Sequence, residues 1–517
     1  MDPSTAEYEA PDQRTTVALI AAIFIAGLCS IVYELLIGTV SSYFKGDSVV
    51  QFSLTIGIYM AALGVGAWLS RFIPDNIYLF FLKLETLLGA IGGLSVPILY
   101  LVYAMQPGAF QWTAFVLTFA IGTLIGFEIP ILTRLLERFY QLKVNISNVL
   151  SIDYAGALLA TILFPFFLLP GLGPFRSSLV IGMINLGIGF IVLFKFRHKF
   201  VQPIWTFWLG LNLCIAVTFV GLFAYANTLT GIWSQALYDD RVVYEEQTAY
   251  QRLVITSRRD DFRLFLNGNL QFSSLDEYRY HESLALPALS AHPAAQRILV
   301  LGGGDGLLVR EILNHAPEAQ VILVDLDQAV TRLANEFERL VELNARSLQD
   351  PKVEVIHDDA FRWLDEANTP FDIIYSDLPD PNNIALARFY SVEFYRLVRN
   401  RLAQGGIFVT QATSPFHATE SFWTIEASMQ ASGFGTVLPY HADVPSFGRW
   451  GFVIATDATR DFQTLELPDH TRYLNHEVWT QAKIFPPDEL PKNPQTASTL
   501  DRPKILNRYL KSVRKWR

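Results

Sequence analysis

Cysteine is almost missing from this chain. Cys29 and Cys214 are the only two among 517 residues, and each lies inside an apolar run. Two residues so placed build neither a disulfide framework nor a thiolate metal site. An excess of basic charge is missing as well: 40 Lys and Arg face 49 Asp and Glu, for a net charge of −9. Nucleic acid is therefore not an expected partner. The negative charge serves solubility and would suit a polycationic ligand. Charge of either sign is rare before about residue 238 and frequent after it. Apolar residues make up 51% of the chain and mean hydropathy is +0.28, high for a soluble protein and low for one wholly in a membrane. The chain is too long for one core, and it reads as a membrane half joined to a soluble half.

The first half is rich in long apolar runs. Residues 1–14 are polar and acidic and are expected to form a disordered tail. Seven runs follow, near 15–37, 49–72, 77–103, 109–131, 149–169, 177–196 and 204–226. Each has about 20 residues or more, enough to cross about 30 Å of hydrocarbon. The expectation is a seven-helix transmembrane domain over 15–230. The first run is not expected to be a cleaved signal, because its lead is acidic, it is long, and no A-x-A site follows it. Glu34, Glu85, Glu128 and Asp153 lie among these helices. Acids near mid-membrane are costly and face a protein interior or a cavity. Two readings stand: helix–helix hydrogen bonding or a position near the interface, or a path for a cation or polyamine. Glu85 suits the path least, since Lys83 and Leu84 place it near a helix start. Gly57, Gly64 and Gly66, and Gly89, Gly92 and Gly93, have spacings that mark close helix packing.

Orientation is contested within the sequence. Arg134, Arg138 and Lys143 follow the fourth run, and Lys195, Arg197 and Lys199 follow the sixth. With seven spans those loops share a side, and the positive-inside rule makes it cytoplasmic, leaving the soluble half outside. The ligand expected for the soluble half, described next, is cytosolic and argues the opposite. The latter places the chain as a multi-pass protein of a bacterial inner membrane with its soluble half in the cytoplasm.

Over 241–275, apolar and polar residues alternate around turn signals, and Asn267-Gly268 between two such runs predicts a hairpin. A small antiparallel β subdomain is expected over 238–275, then a helix from Leu275 to Ser290. The stretch Arg297–Asp327, RILVLGGGDGLLVREILNHAPEAQVILVDLD, reads as strand, glycine loop, helix and second strand. Further strands are predicted at Val353–Ile356, Phe371–Ser376, Ile407–Gln411 and Val453–Ala455, with helices near 328–343, 391–402 and 419–431. The fold expected over 276–460 is an α/β Rossmann-like, methyltransferase-type doubly wound domain. Its strand tips would carry Gly302–Gly306, Asp325, Asp359 and Asp377 to one edge, where such sheets bind ligands.

The spacing of the loop bears on the ligand. A dinucleotide site has G-x-G-x-x-G with N–H groups facing a pyrophosphate. Here Gly302, Gly304 and Gly306 alternate, and Asp305 sits among them. A carboxylate there repels phosphate and suits a cationic nucleoside, one bearing a sulfonium and an amine. Asp325, at the tip of the second strand, is placed for ribose hydroxyls. Residues 461–517 form a C-terminal extension. Its last part, 502–517, carries seven basic residues and no acids, with apolar residues at helical spacing. It reads as an amphipathic basic helix, either on anionic lipid or solvated.

Between about 240 and 460 stand Tyr250-Gln251, NGNLQ ending in Gln271, DEYRYHE (Asp276–Glu282), GGGDG, VDLD, HDDA and DLPDP (Asp377–Pro381). With these motifs in order, this part of the chain resembles the spermidine synthase (polyamine aminopropyltransferase) family. The apolar half, with CSIVYELLIGT, GIYMAALGVGAWLSR and DYAGALL, resembles seven-span modules fused to some bacterial members. The resemblance implies transfer of an aminopropyl group from decarboxylated S-adenosylmethionine to a diamine such as putrescine, with no permanently bound cofactor and no metal. It implies Asp377 as general base, Asp380 on an ammonium of the diamine, and Asp305 on the donor's propylamine. Asp325 would take the ribose, and Asp359, rather than its neighbour Asp358, the adenine amino group. Gln251, Tyr280 and His281 would line the junction of donor and acceptor, with Gln271 a weaker candidate. Relatives imply a homo-oligomer such as a dimer. Three departures stand out: Asp325 replaces the usual glutamate, Leu307 replaces a second glycine, and Phe447 stands where soluble members carry an acceptor-binding tyrosine.

Two rival functions fit parts of the same sequence. One is an amine N-methyltransferase using S-adenosylmethionine itself. The paired Asp377 and Asp380 weigh against it, as does the clash of a donor carboxylate with Asp305. The other is a polyamine transporter or sensor whose soluble domain only binds.

Overall fold

The computed structural model describes residues 13–46, 48–73, 76–137, 142–248 and 250–516. The chain divides into two compact units, Met1–Asp239 and Asp240–Arg517. Residues 1–12 of the expected tail lie outside the described residues, as does Arg138, and Gln13 already opens the first helix.

The first unit is all helix: Gln13–Lys45, Ser48–Leu69, Ile77–Met105, Phe110–Leu136, Leu142–Leu163, Leu169–Lys195, Gln202–Ala224 and the short Ala226–Ala236. Six stretches among the described residues are long and apolar enough to cross a membrane, where seven runs are expected from the sequence. The expected fifth and sixth spans are joined into one stretch of 52 residues, Val144–Lys195. A π-helical turn at Phe164–Leu168 carries the chain through, and the break comes at Gly173, with φ 69° and ψ 172°. The break divides this stretch, whose 52 residues are over twice the about 20 that one crossing needs.

The membrane-unit acids are sequestered. Glu34, Glu85 and Glu128 are buried, and Asp153 is half-buried. Glu85, the expected weakest of the four, is fully buried and tied across helices. Tyr33 donates to Asn185 Oδ1 at 3.0 Å, and Asn185 Nδ2 donates to Glu85 Oε2 at 3.0 Å. Of the glycines read as packing positions, Gly66, Gly89, Gly92 and Gly93 meet neighbours, whereas Gly57 and Gly64 face open space.

In the second unit, β1 (Arg241–Gln247), β2 (Arg252–Arg258), β3 (Asp261–Leu266) and β4 (Asn269–Ser273) pair antiparallel in chain order. Asn267 and Gly268 both have positive φ, 50° and 77°, as a tight hairpin between β3 and β4 requires. A helix, Glu277–Ala291, leads into the larger sheet.

That sheet contains β5 (Arg297–Gly302), β6 (Gln320–Asp325), β7 (Val353–His357), β8 (Phe371–Asp377), β9 (Leu402–Gln411), β10 (Thr436–Val444) and β11 (Gly448–Thr456), in the order β10-β11-β9-β8-β5-β6-β7. Strands β5 to β9 run parallel, and β11 is antiparallel to both β9 and β10. Both faces are covered. Ile298 and Val300 enter one core cluster while Leu299 and Leu301 enter the other, so the strand reads as a continuous apolar run. The strand order reverses between β5 and β8, and their tips are in register, Gly302 against Asp377. A crevice opens at such a reversal.

Three features depart from the sequence reading. Strand β10 was not expected. The helix predicted over 328–343 breaks at Phe337, whose ψ of 104° is extended, into Gln328–Glu336 and Glu338–Leu343. The segment after 460 is no appendage: Phe462, Leu465, Leu474 and Trp479 belong to the core of the sheet's first face. Trp479 packs on Tyr440 at 4.9 Å and donates to Phe462 O at 3.0 Å. The basic helix, Lys504–Val513, turns its apolar side inward: Ile505 and Leu506 are buried in the core of the second face, while Asn507 and Lys511 are exposed.

Candidate active site

The tips of β5, β6, β8 and β9 and the β3–β4 hairpin surround a cavity of about 670 Å³. Its lining includes Gln251, Gln271, Tyr280, His281, Gly302, Gly304, Asp305, Asp325, Asp359, Asp377 and Asp380, all of the residues singled out above. Asp358 is not among the lining residues and pairs instead with Arg362.

Two glycines set the loop. Gly302 has φ 80°, and a Cβ there would stand 2.2 Å from Asp377 O. Only glycine lets β5 and β8 come this close at their tips. At Gly304 a Cβ would stand 2.6 Å from Asp325 Oδ2, the oxygen to which Gly304 N donates at 3.1 Å. Asp325 Oδ1 accepts from Asp327 N at 2.9 Å. The carboxylate at the end of β6 is thus fixed from both sides. Asp305 accepts from Leu307 N at 2.9 Å. Asp359 caps the helix Ala360–Glu366, accepting from Phe361 N and Arg362 N, both at 3.1 Å, and its other oxygen pairs with Arg388.

At the other side of the cavity, Tyr280 Oη donates to Asp377 Oδ1 at 2.6 Å. Asp380 Oδ2 accepts from Tyr509 Oη at 2.8 Å, and its Oδ1 lies 3.5 Å from Gln411 Nε2. His281 is oriented from behind. Its Nδ1 is 2.8 Å from Glu277 Oε2, and Arg310 holds the same carboxylate with bonds of 3.0 and 2.9 Å. Gln251 Nε2 donates to Asp327 Oδ2 at 3.1 Å, while Gln271 Nε2 donates to Asn269 O at 3.2 Å.

Burial shapes the charge of these groups. It pushes Asp305 up to about 6, with Asp377 adding to the rise and His281 opposing it. Burial also lifts Asp325 and Asp380 to about 6, partly offset at Asp325 by the Asp327 and Gly304 N–H groups and at Asp380 by Tyr509 and Gln411. Asp377 is raised by burial against the pull of His281 and Tyr280. Burial raises Glu277 too, but His281 and Arg310 outweigh it and hold the carboxyl at about 2. Burial disfavours charge on His281, yet Glu277 raises it overall. The lining carries six aspartates, Asp305, Asp325, Asp327, Asp359, Asp377 and Asp380, against one arginine and one histidine. Such a lining attracts cations.

Sequence reading missed Glu277, Gln411 and Tyr509. Glu277 lies four residues before His281 on one helix, a spacing that makes them neighbours. Gln411 ends β9 beside the tips already implicated. For Tyr509 there was no local signal, since its partner Asp380 is 129 residues away.

Residues 277–465 match the model of the spermine/spermidine synthase domain. A polyamine aminopropyltransferase of Leptospira interrogans is 42% identical over 496 residues, covering 95% of this chain and 98% of that one. Polyamine aminopropyltransferase 1 of Ralstonia nicotianae is 41% identical, with 92% of each chain covered. A spermidine synthase solved with the transition state analogue AdoDATO aligns at 24% identity and a TM-score of 0.44, covering 48% of this chain and 86% of that one. Identity that runs through the apolar half as well as the synthase half makes the chain a member of the polyamine aminopropyltransferase family.

Proposed function

We propose that the chain transfers the aminopropyl group of decarboxylated S-adenosylmethionine to a diamine such as putrescine, giving spermidine or a related polyamine and methylthioadenosine. The observation that carries this reading is the cavity lining, with six aspartates against one arginine and one histidine. Both substrates are cations, and an intact S-adenosylmethionine would bring a carboxylate against Asp305.

In this reading the donor lies along the tips of β5 and β6. Asp305 holds its propylamine, Asp325 its ribose hydroxyls and Asp359 its adenine edge, with Gln251 and His281 beside the sulfonium arm. Asp380 holds an ammonium of the acceptor. Asp377 faces the attacking amine, whose pKa near 10 leaves it protonated at neutral pH. The carboxylate orients that nitrogen and takes its proton, which frees the lone pair for attack. Tyr280, donating to Asp377 Oδ1, fixes that carboxylate in place. The nitrogen lone pair attacks the methylene carbon next to sulfur, the N–C bond forms as the C–S bond breaks, and the electron pair returns to a neutral thioether. Holding the two reactants in line supplies much of the rate. The apolar unit would anchor the enzyme in a cell membrane, with the synthase unit in the cytoplasm, where the donor is made.

The test uses the purified full chain in detergent with decarboxylated S-adenosylmethionine and a panel of diamines. Methylthioadenosine and a longer polyamine should form, and Asp377→Asn should abolish both while leaving donor binding intact. Donor binding without product from any amine would remove the transferase reading in favour of methyl transfer or a binding-only domain.

A further inference from the structure

The C-terminal helix Lys504–Val513 lies outside the part of the chain that matches the synthase domain, which ends at residue 465. It is nevertheless built into the enzyme unit. Ile505 and Leu506 are buried in the same core cluster as Tyr395, Phe408 and Phe422. The strand-like approach to it is tied down as well: Ser498 N donates to Ser428 Oγ at 2.8 Å, and Val392 N donates to Ser498 O at 2.9 Å. Beyond the helix, Trp516 donates to His417 O at 3.1 Å and its ring meets those of His417 and Phe416 at 4.8 and 5.4 Å.

Anchored at both ends, the helix sets one side chain into the cavity. Tyr509 is a lining residue, and its hydroxyl donates to Asp380 Oδ2 at 2.8 Å. Asp380 Oδ1 faces Gln411 Nε2, which is itself held by Leu378 O at 2.7 Å and Tyr390 Oη at 2.5 Å. The Asp380 carboxylate is therefore clamped between β9 and the C-terminal helix. Across the cavity, Phe447 offers a ring without a hydroxyl, 6.2 Å from Tyr280. The phenol at this end of the cavity comes from the C-terminal helix.

We propose that Tyr509 is a positioning and length-selecting residue for the amine acceptor: its hydroxyl aims Asp380 at the acceptor's ammonium, and its ring limits how far the acceptor chain extends past Asp380. This rests on the transferase reading above. A flexible alkyl diammonium has little shape beyond its length, so selection must come from the distance between its charge partners and from what blocks the far end. Asp377 and Asp380 set the distance. Tyr509 supplies the block, on an element whose position is fixed independently of the strand tips.

The experiment measures steady-state kinetics of the full chain in detergent with 1,3-diaminopropane, putrescine, cadaverine and spermidine, for wild type, Tyr509→Phe and Tyr509→Ala. A hydrogen bond to a charged group is at stake, and its loss should raise the KM of the preferred acceptor about tenfold or more. Tyr509→Phe should do this with kcat within a few-fold of wild type and donor KM unchanged. The acid limb of kcat/KM for the acceptor should also move to higher pH, because the hydroxyl helps keep Asp380 ionised. Tyr509→Ala should in addition shift preference toward longer amines. Trp516→Ala, which loosens the end of the helix without touching the cavity, should raise acceptor KM in the same direction and leave donor KM alone. Unchanged acceptor KM, pH profile and acceptor preference in both Tyr509 variants would overturn the proposal while leaving the transferase standing. A wild type that makes no methylthioadenosine with any amine would overturn the transferase reading, and this proposal with it.

Discussion

Gly304→Ala isolates the donor half of the site. Gly304 is not among the glycines with positive φ, so alanine brings no backbone strain there. What it brings is a methyl group 2.6 Å from Asp325 Oδ2 and 3.2 Å from Val330 Cγ1. The carboxylate is the mobile partner and must swing away. It then loses the Gly304 N–H, a bond of 3.1 Å, and with it the position from which it would hold the ribose. A hydrogen bond to a charged group contributes about 1.5–3 kcal/mol, so donor affinity should fall by a factor of about 10 to about 150. The assay is calorimetric binding of methylthioadenosine, which carries the ribose and adenine but not the amine. The acceptor KM should stay as it is, because Asp377 and Asp380 belong to a different strand tip. Binding of methylthioadenosine by Gly304→Ala within twofold of wild type would refute both the local geometry and the role given to Asp325.

Asp305, Asp325 and Asp380, each lifted to about 6 by burial, give the unliganded fold stability that is present below about pH 4 and lost as pH rises through about 6. Cationic ligands need the ionised forms, so the increase in Tm produced by a polyamine should shrink as pH falls through about 6, measured by thermal unfolding in detergent between about pH 5 and 8. Glu277→Gln should destabilise the enzyme unit by about 3 kcal/mol, the lower end for breaking a buried pair, because Arg310 keeps Glu311 at 2.7 Å; thermal unfolding checks this. The same variant should lower the His281 pKa, read from the imidazole resonances. Tyr280→Phe should leave donor binding unchanged and move the acid limb of kcat to higher pH, since the lost bond to Asp377 favours the ionised carboxylate.

What could be read in the sequence was what a strand tip carries. Gly302, Asp325 and Asp377 each end a buried apolar strand, and parallel packing then brings such tips to one edge whatever the loops do. The Asn267-Gly268 turn was legible for a similar reason, since two consecutive positive φ angles need those residue types. The failures share the opposite property. Strand β10, TVLPYHADV, carries a proline and interrupted apolar positions, and it forms because β11 offers an edge to pair with. Phe337 breaks an amphipathic run because its ring meets that of Phe262 from the β subdomain, at 5.8 Å. The basic C-terminal helix showed its apolar stripe plainly, but a stripe does not say which surface it covers. In the apolar half, Glu85 looked peripheral from Lys83 and Leu84, and only the partner helices, through Asn185 and Tyr33, make it central.

The acids of the cavity also explain how so much like charge is kept in place. Each is fixed by a local donor: Leu307 N for Asp305, Gly304 and Asp327 N–H for Asp325, two helix N–H groups and Arg388 for Asp359, Tyr280 for Asp377 and Tyr509 for Asp380. Such bonds are oriented in advance and need not be rebuilt when substrates arrive. Of these donors only Arg388 brings a positive charge, and burial leaves three of these five acids lifted to about 6. The mutual repulsion is relieved only when cations enter. In the reading proposed above, a donor with one sulfonium and one ammonium and an acceptor with two ammonium groups would together bring the positive charge that the lining lacks. In that reading product release depends on the bond broken: once the sulfonium is a neutral thioether and the aminopropyl group has left, methylthioadenosine no longer carries the ammonium that would hold its parent against Asp305.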